Sequence, residues 1–137
     1  MHRRPSGLLR MLVEAPNFRY STQMIELGDQ VPMAVRDFCV ELDAVTPQYE
    51  NQFRAYWGEL TGARADASGA LWLNSGGPQQ MSFVLQPQHE QELMARYRLR
   101  NREEFSGAYI LVLGEMNISM NGKMYCRIEN LDMVALR

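Results

Sequence analysis

The sequence predicts an all-β fold with five principal strands and one helix before the fourth strand. Three observations lead to this prediction. Apolar and polar residues alternate with the period of a half-buried strand from residue 35 onward. The pair Asn121-Gly122 separates two alternating runs, which is the strongest short-range signal for a β-hairpin. One apolar stripe with helical spacing interrupts the alternation before Gly107. The strands are expected to form a barrel. The alternative architecture is another small antiparallel barrel or a sandwich.

The first twenty residues differ in composition from the rest of the chain. Residues 1–20 carry four arginines against one acid and contain Pro5, Gly7 and Pro16 around a single apolar run, Leu8–Val13. We predict that residues 1–20 form a flexible basic N-terminal arm with one or two helical turns, and that residues 21–137 form the folded domain.

Two strands are predicted in the first half of that domain, after a short strand at Met24–Leu27 and a turn at Gly28-Asp29. In the first, Val35–Val45, four apolar residues alternate with a polar row: Asp37, Cys39, Glu41 and Asp43. In the second, Phe53–Leu60, Phe53 and Trp57 are expected on the core side, and Arg54 and Tyr56 on the outside.

A hairpin and a helix follow. Residues 70–74 and 80–85 are predicted to form either a hairpin across the turn Ser75–Pro78 or one strand interrupted by a flexible insert, whereas Thr61–Gly69 is interpreted as a loop. Pro87 occupies a position that the first turn of a helix tolerates. Leu93, Met94 and Tyr97 then form the apolar stripe of a helix over residues 88–99.

The last third of the chain contains the clearest pattern. A buried strand runs from Gly107 to Leu113, and an Asn-Gly hairpin and a short apolar tail strand follow. The hairpin is expected to have a type I′ turn, with Met116, Ile118 and Met120 on one face of its first strand. The outer face of its second strand carries Lys123, Tyr125 and Arg127.

This order of elements over residues 90–136 resembles the second half of an oligonucleotide-binding (OB) fold, as in the single-stranded-DNA-binding protein family. The quoted features are a helix, the segment Gly107–Gly114 and a hairpin whose last strand bears a tyrosine, Tyr125. The resemblance implies a five-stranded OB-type barrel over residues 21–137 that binds an unpaired nucleic-acid strand. Typical members carry a linker and an acidic tail after the last strand, and we expect neither here.

Composition sets the outer limits of function. The net charge is −2, and residues 21–60 carry seven acids against two arginines. No apolar run approaches the ~18 residues that would span a bilayer, and no signal peptide is evident, so we expect a cytoplasmic protein without membrane contact. Cys39 and Cys126 are expected to be reduced and packed in strands.

The candidate nucleic-acid-binding residues are the aromatic and cationic side chains that strand alternation places outside. Aromatic rings stack on bases without sequence preference, and cations neutralise phosphates. The set is Arg54, Tyr56, Trp72, Lys123, Tyr125 and Arg127. The acidic row of the first strand repels phosphate, so either that strand lies away from the binding track or no such track exists.

No pattern indicates catalysis, a cofactor or a metal. His89 lacks the second histidine of a zinc-binding helix, and the turn at Ser75–Pro78 lacks the lysine and helix of a phosphate-binding loop. No nucleophile-and-base arrangement stands out. We therefore expect a non-enzyme without cofactor or metal.

The resulting hypothesis is a non-catalytic protein that binds single-stranded nucleic acid, with DNA as the first candidate, in replication, recombination or mobile-element maintenance. The alternatives are an OB-type subunit or adaptor that binds a protein partner and, in third place, an unrelated small β-barrel enzyme or structural protein. We also expect a homo-oligomer, a dimer or tetramer, because the strand at 107–113 is apolar on both faces and one outer face needs a cover.

Overall fold

The computed structural model describes residues 4–26 and 30–137. The helices are α1 (Pro5–Glu14), α2 (Val35–Phe38) and α3 (Pro87–Arg96). The strands are β1 (Met24–Ile25), β2 (Met33–Ala34), β3 (Cys39–Glu41), β4 (Phe53–Glu59), β5 (Gly62–Ala65), β6 (Leu71–Asn74), β7 (Ser82–Leu85), β8 (Tyr109–Glu115), β9 (Asn117–Ile118), β10 (Met124–Arg127) and β11 (Val134–Leu136). Among the described residues, no helix is long and apolar enough to cross a membrane.

The strands form two larger sheets and one small one. The five-stranded sheet has the order β5-β6-β7-β10-β9, the four-stranded sheet the order β11-β8-β4-β3, and β1 pairs with β2. In the five-stranded sheet, β7 pairs antiparallel with β6 and parallel with β10. In the four-stranded sheet, β4 and β8 pair antiparallel over seven residues each. The fold is therefore mostly β, as predicted.

The chain passes directly from one of the two larger sheets to the other at two places. The chain passes from β4 in one sheet to β5 in the other across Leu60 and Thr61, and from β8 to β9 across Met116. The main core lies between the sheets and includes Tyr56, Phe83 and Val112, with Leu93 of α3 and Phe105 packed into it. Among the described residues there are three sheets, however, and no closed barrel is found. The prediction of one five-stranded barrel is wrong in this respect.

A second core covers the outer side of the four-stranded sheet. Its buried side chains include Leu8, Leu9 and Leu12 of α1, Trp57 of β4 and Leu111 of β8. The helix α1 begins at Pro5, whose fixed φ suits the first helical position, and its three leucines are buried. The prediction of a flexible arm is therefore wrong for residues 5–14. Arg3 lies outside the described residues.

This second core also removes the reason given for an oligomer. The outer face of β8, with Leu111 and Leu113, is covered by α1 of the same chain. A homo-oligomer stays a prediction, but the apolar strand no longer requires one.

The first predicted strand is the least accurate assignment. Residues 35–38 form α2, only Cys39–Glu41 are extended, and Leu42–Ala44 form a 3₁₀ turn. Phe38 and Cys39 pack into the second core, and Val40 and Leu42 into the main core. Apolar and polar residues alternate in this segment because it runs between the two cores and contributes side chains to both. The predicted carboxylate row is therefore not a row. The predicted strand at Met24 is β1, while Leu27 and the Gly28-Asp29 turn lie outside the described residues.

The remaining predicted elements are confirmed with shifted bounds. The hairpin β6–β7, the helix α3 and the tail strand β11 all form. Cys39 and Cys126 are unpaired and buried, and burial raises the pKa of each thiol to about 12.

The β9–β10 turn differs in type from the prediction. The Gly122 amide donates to the Ser119 carbonyl (2.9 Å), and φ is positive at Gly122 (88°) but not at Asn121. A type I′ turn needs positive φ at both central residues, so this prediction is wrong. The longer turn leaves Met120 fully exposed at its tip, off the apolar face where it was expected.

We predict that Leu8→Ala destabilises the protein by about 2–5 kcal/mol, because it leaves a cavity between α1 and the sheet. Leu8 is 0% exposed. The control is Arg10→Ala on the exposed side of the same helix, expected to stay within about 0.5 kcal/mol. Urea unfolding measures both. Equal stability of Leu8→Ala and the wild type would contradict the packing of α1.

Candidate nucleic-acid interface

The outer face of the five-stranded sheet collects polar, aromatic and cationic side chains. Leu71, Leu73, Phe83 and Leu85 of β6 and β7 point into the main core, so the alternate residues of these strands lie on the opposite side, where Ser82 and Val84 of β7 are nevertheless buried. Strand register places them in two rows. One row contains Gly62, Asn74, Ser82, Tyr125 and Asn117, and the other contains Arg64, Trp72, Val84 and Arg127.

Three of the predicted site residues are in direct contact on this face. The rings of Trp72 and Tyr125 lie edge-on, with centroids 5.9 Å apart and an interplanar angle of 61°. The guanidinium carbon of Arg127 lies 5.4 Å from the centroid of the Tyr125 ring, within reach of a cation–π interaction. Trp72 and Tyr125 are half-buried and Arg127 is exposed. The face thus presents two aromatic rings and a cation side by side.

Arg64 is a member of this face that the sequence analysis missed. It lies directly opposite Trp72 in the β5–β6 pairing and is exposed. Residues 62–65 were interpreted as part of a loop because glycine and alanine are poor strand formers. The alternation of Ala63, which packs against the main core, with Arg64 was the signal that they form a strand. In the part of the chain that the structure describes, neither Arg64 nor Arg127 pairs with a carboxylate.

A groove opens beside Trp72, with a volume of about 530 Å³. It lies between the loop at Asp66 and the β9–β10 turn. Its lining residues are Arg64, Ala65, Asp66, Trp72, Asn74, Ser119, Asn121 and Lys123. This volume falls within the range typical of pockets that hold small molecules.

Lys123 has a different role from the predicted phosphate contact. Its ammonium group donates to the backbone carbonyls of Gln80 (2.5 Å) and Pro78 (3.4 Å), and burial lowers its pKa. Two of its three N–H donors are therefore used to tie the β9–β10 turn to the β6–β7 turn. Lys123 lines the groove, but its ammonium group is engaged in the hydrogen bonds that link the two turns.

Tyr56 does not belong to the face. It is 0% exposed within the main core, and its hydroxyl donates to the carbonyl of Gln52 (2.7 Å). The grouping of side chains along β4 was correct but its direction was inverted. The side of Phe53 and Trp57 is the outer one, and α1 covers it. Tyr56 therefore cannot stack on a base.

Arg54 is also separated from the other candidates. It lies on β4 in the four-stranded sheet, where its guanidinium donates to the carbonyl of Phe53 and the side chain of Gln52 (both 2.8 Å). It lines a different groove together with Arg36, Asp37 and Tyr49. The structure thus brings together four of the six predicted residues: Trp72, Lys123, Tyr125 and Arg127.

The rest of the described chain offers no metal site of three or more histidine, cysteine, aspartate or glutamate side chains. The acids of the predicted first strand lie on other elements than the face. Glu41 pairs with Arg19 (2.8 Å), and Asp37 lies near Arg36 (3.8 Å).

Comparisons with known proteins yield only distant structural likeness. No family model matches the sequence, and no curated protein matches it. One similar solved structure is Schizosaccharomyces pombe Pot1pC bound to single-stranded DNA, with 13% identity over 72% of this chain and 85% of that chain and a TM-score of 0.47. Another is a putative aspartyl-tRNA synthetase from Leishmania major Friedlin, with 8% identity and a TM-score of 0.45. The alignment covers 91% of this chain but only 25% of the synthetase. At TM-scores below 0.5, neither likeness carries an argument about fold or function.

We predict that Lys123→Ala lowers the free energy of unfolding by about 0.5–1.5 kcal/mol, because two carbonyls lose their common donor. Lys123→Met is the matched variant. It keeps the length of the apolar stem and removes the ammonium, so most of the loss should persist. Denaturant unfolding of both variants measures this effect, and wild-type stability in both would contradict a structural role of Lys123.

Proposed function

We propose that this chain is an OB-type protein that binds single-stranded nucleic acid on the outer face of its five-stranded sheet, with DNA as the first candidate. In this proposal it acts without catalysis, as an accessory of replication, recombination or mobile-element maintenance. The observation that carries the proposal is the contact of Trp72, Tyr125 and Arg127 on one exposed face. Base stacking on aromatic rings and phosphate contact by arginine are the two interactions that unpaired strands offer.

The position of the face within the strand order supports the proposal. OB folds bind oligonucleotides on the face of their second and third strands and with the loops after the first and fourth strands. If β4 and β5 together are counted as the first strand of an OB fold, β6 and β7 are the second and third strands, and β8 and β9 together are the fourth. The corresponding loops are then residues 66–70 and 119–123, and both contribute to the groove beside Trp72.

The local charge also supports it, although the net charge is −2. Arg64 and Arg127 stand at the two ends of one row, with Trp72 and Val84 between them. Four neighbouring strands at about 4.8 Å spacing place the two arginine backbones roughly 14 Å apart. A nucleic-acid strand that runs along this row would therefore contact both guanidinium groups and the ring of Trp72 between them.

A single strand fits this face better than a duplex. Stacking needs the flat side of a base, which is covered by neighbouring bases in a double helix and open in an unpaired strand. Two aromatic rings fixed on a sheet therefore favour unpaired nucleic acid.

One observation favours the alternative role as an adaptor for a protein partner. Large apolar side chains are exposed around the small sheet, at Tyr20, Met24 and Val31. Contiguous exposed apolar patches mark sites of protein interaction. If the wild type binds no oligonucleotide at low salt, the nucleic-acid proposal is wrong and this role is the one to test.

We predict that Trp72→Ala and Tyr125→Ala each weaken binding by about 1–3 kcal/mol, roughly 5- to 150-fold in Kd, because each removes one stacking surface. Fluorescence anisotropy with a labelled unpaired DNA of about 30 nucleotides, longer than the site of one OB fold, measures this. Arg10→Ala on α1, away from the face, is the control and should bind as the wild type does. Trp57→Ala is a control for stability rather than for binding. Trp57 is 2% exposed in the second core, so its loss should cost about 3–5 kcal/mol of stability.

We further predict that Arg64→Ala and Arg127→Ala each reduce the salt dependence of binding. Each lost phosphate contact should lower the slope of log K against log salt by about 0.7 for a single strand, since fewer counterions are released. The same anisotropy titration at several salt concentrations gives the slope. Weaker binding with an unchanged slope would show that these arginines do not contact phosphate.

A further inference from the structure

Asp66 is an acid on a face that otherwise offers cations and aromatic rings. It is exposed, begins the loop between β5 and β6, and lines the groove beside Trp72. A carboxylate at this place repels phosphate, so its presence calls for another role. Its hydrogen bonds indicate what that role is.

The two oxygens of Asp66 have separate partners. Oδ1 accepts hydrogen bonds from the Ser68 amide (2.8 Å), the Ser68 hydroxyl (2.6 Å) and the Ala70 amide (3.2 Å). Oδ2 accepts a hydrogen bond from the indole Nε1 of Trp72 (2.9 Å). The hydrogen bonds from Ser68 and Trp72 hold the pKa of Asp66 down to about 2, so the acceptor stays ionised at neutral pH. One oxygen therefore orders the loop, and the other holds the indole.

The indole of Trp72 is consequently held at two places. Asp66 binds its N–H, and the ring of Tyr125 packs edge-on against it at 5.9 Å. Without the hydrogen bond, the half-exposed indole is held by its contact with Tyr125 alone and leaves its rotamer more readily. A ring that is already oriented loses less conformational freedom when a base stacks on it, which improves affinity.

We propose that Asp66 is a positioning residue, which fixes the ring of Trp72 through its indole N–H so that a base can stack on it. The inference rests on the proposed function. It predicts that an acid contributes to the binding of a polyanion, and that it does so only through Trp72.

The test is a double-mutant cycle of Asp66→Asn and Trp72→Phe, measured by anisotropy with the same labelled DNA. In Asp66→Asn the side-chain oxygen can still accept from Ser68 and Ala70, while its NH₂ group faces the indole N–H, donor against donor. Trp72→Phe keeps an aromatic ring but lacks the N–H. Thermal unfolding of each variant verifies that it is folded.

At moderate salt, Asp66→Asn should raise Kd about three-fold or more when Trp72 is present. In the Trp72→Phe background it should leave Kd unchanged. Such a coupling lies within the range measured for residues in contact. At low salt in that background, Asp66→Asn should bind slightly more tightly, because one repelling charge is gone. An equal effect in both backgrounds would overturn the positioning role, as would tighter binding in both.

A second measurement separates this inference from the proposed function. A ¹H–¹⁵N spectrum of the free protein should show the indole signals of Trp57 and Trp72, of which Trp72→Phe removes one. Asp66→Asn should shift that signal and speed its exchange with water, and leave the Trp57 signal in place. An unmoved Trp72 signal overturns the inference even if DNA binds. If the signal moves but the wild type binds no DNA, the proposed function fails and the positioning role for stacking fails with it.

Discussion

The antiparallel pairing of β4 with β8 is the constraint on which the rest of the structure depends. It joins seven residues of each strand, from Phe53–Glu115 to Glu59–Tyr109. One face of the pair forms the main core with the five-stranded sheet, and the other is covered by α1. Both strands then continue into the five-stranded sheet as β5 and β9. The sheet that carries the candidate interface is thus held at both edges by the same pair.

Burial on both faces of β4 and β8 explains why the sequence predicted where these strands lie along the chain but not what covers each of their faces. Alternation grouped the side chains of β4 correctly, because the period of a strand is two whatever covers it. It could not tell which side faces the main core, since Tyr56 and Trp57 are both large and apolar. One or two helical turns were predicted for the run Leu8–Val13, but the packing of this helix on the sheet was missed for a related reason. The run Leu8–Val13 is short and lies between prolines, and its helix is stabilised by tertiary packing that local sequence does not reveal.

The candidate site was predictable where strands bury one face and expose the other. In β6 and β10, buried residues alternate with half-buried or exposed ones, and the predicted Trp72, Tyr125 and Arg127 lie together on the outer face. Arg64 was missed because β5 is built from small residues that read as a loop. The hydrogen bonds of Lys123 and Asp66 join residues far apart or fix a side-chain orientation. Neither is encoded in a spacing pattern.

Net charge describes this protein poorly because pairing is uneven over its surface. Arg19, Arg96 and Arg102 are neutralised by carboxylates within 3.1 Å, and Arg137 pairs with Glu14. On the outer face of the five-stranded sheet, Arg64 and Arg127 have no such partner among the described residues. The acid in that groove, Asp66, has its oxygens occupied by the loop and the indole. A chain of net charge −2 can therefore present a face with two unpaired arginines and two aromatic rings, because several arginines elsewhere on the surface are paired with carboxylates.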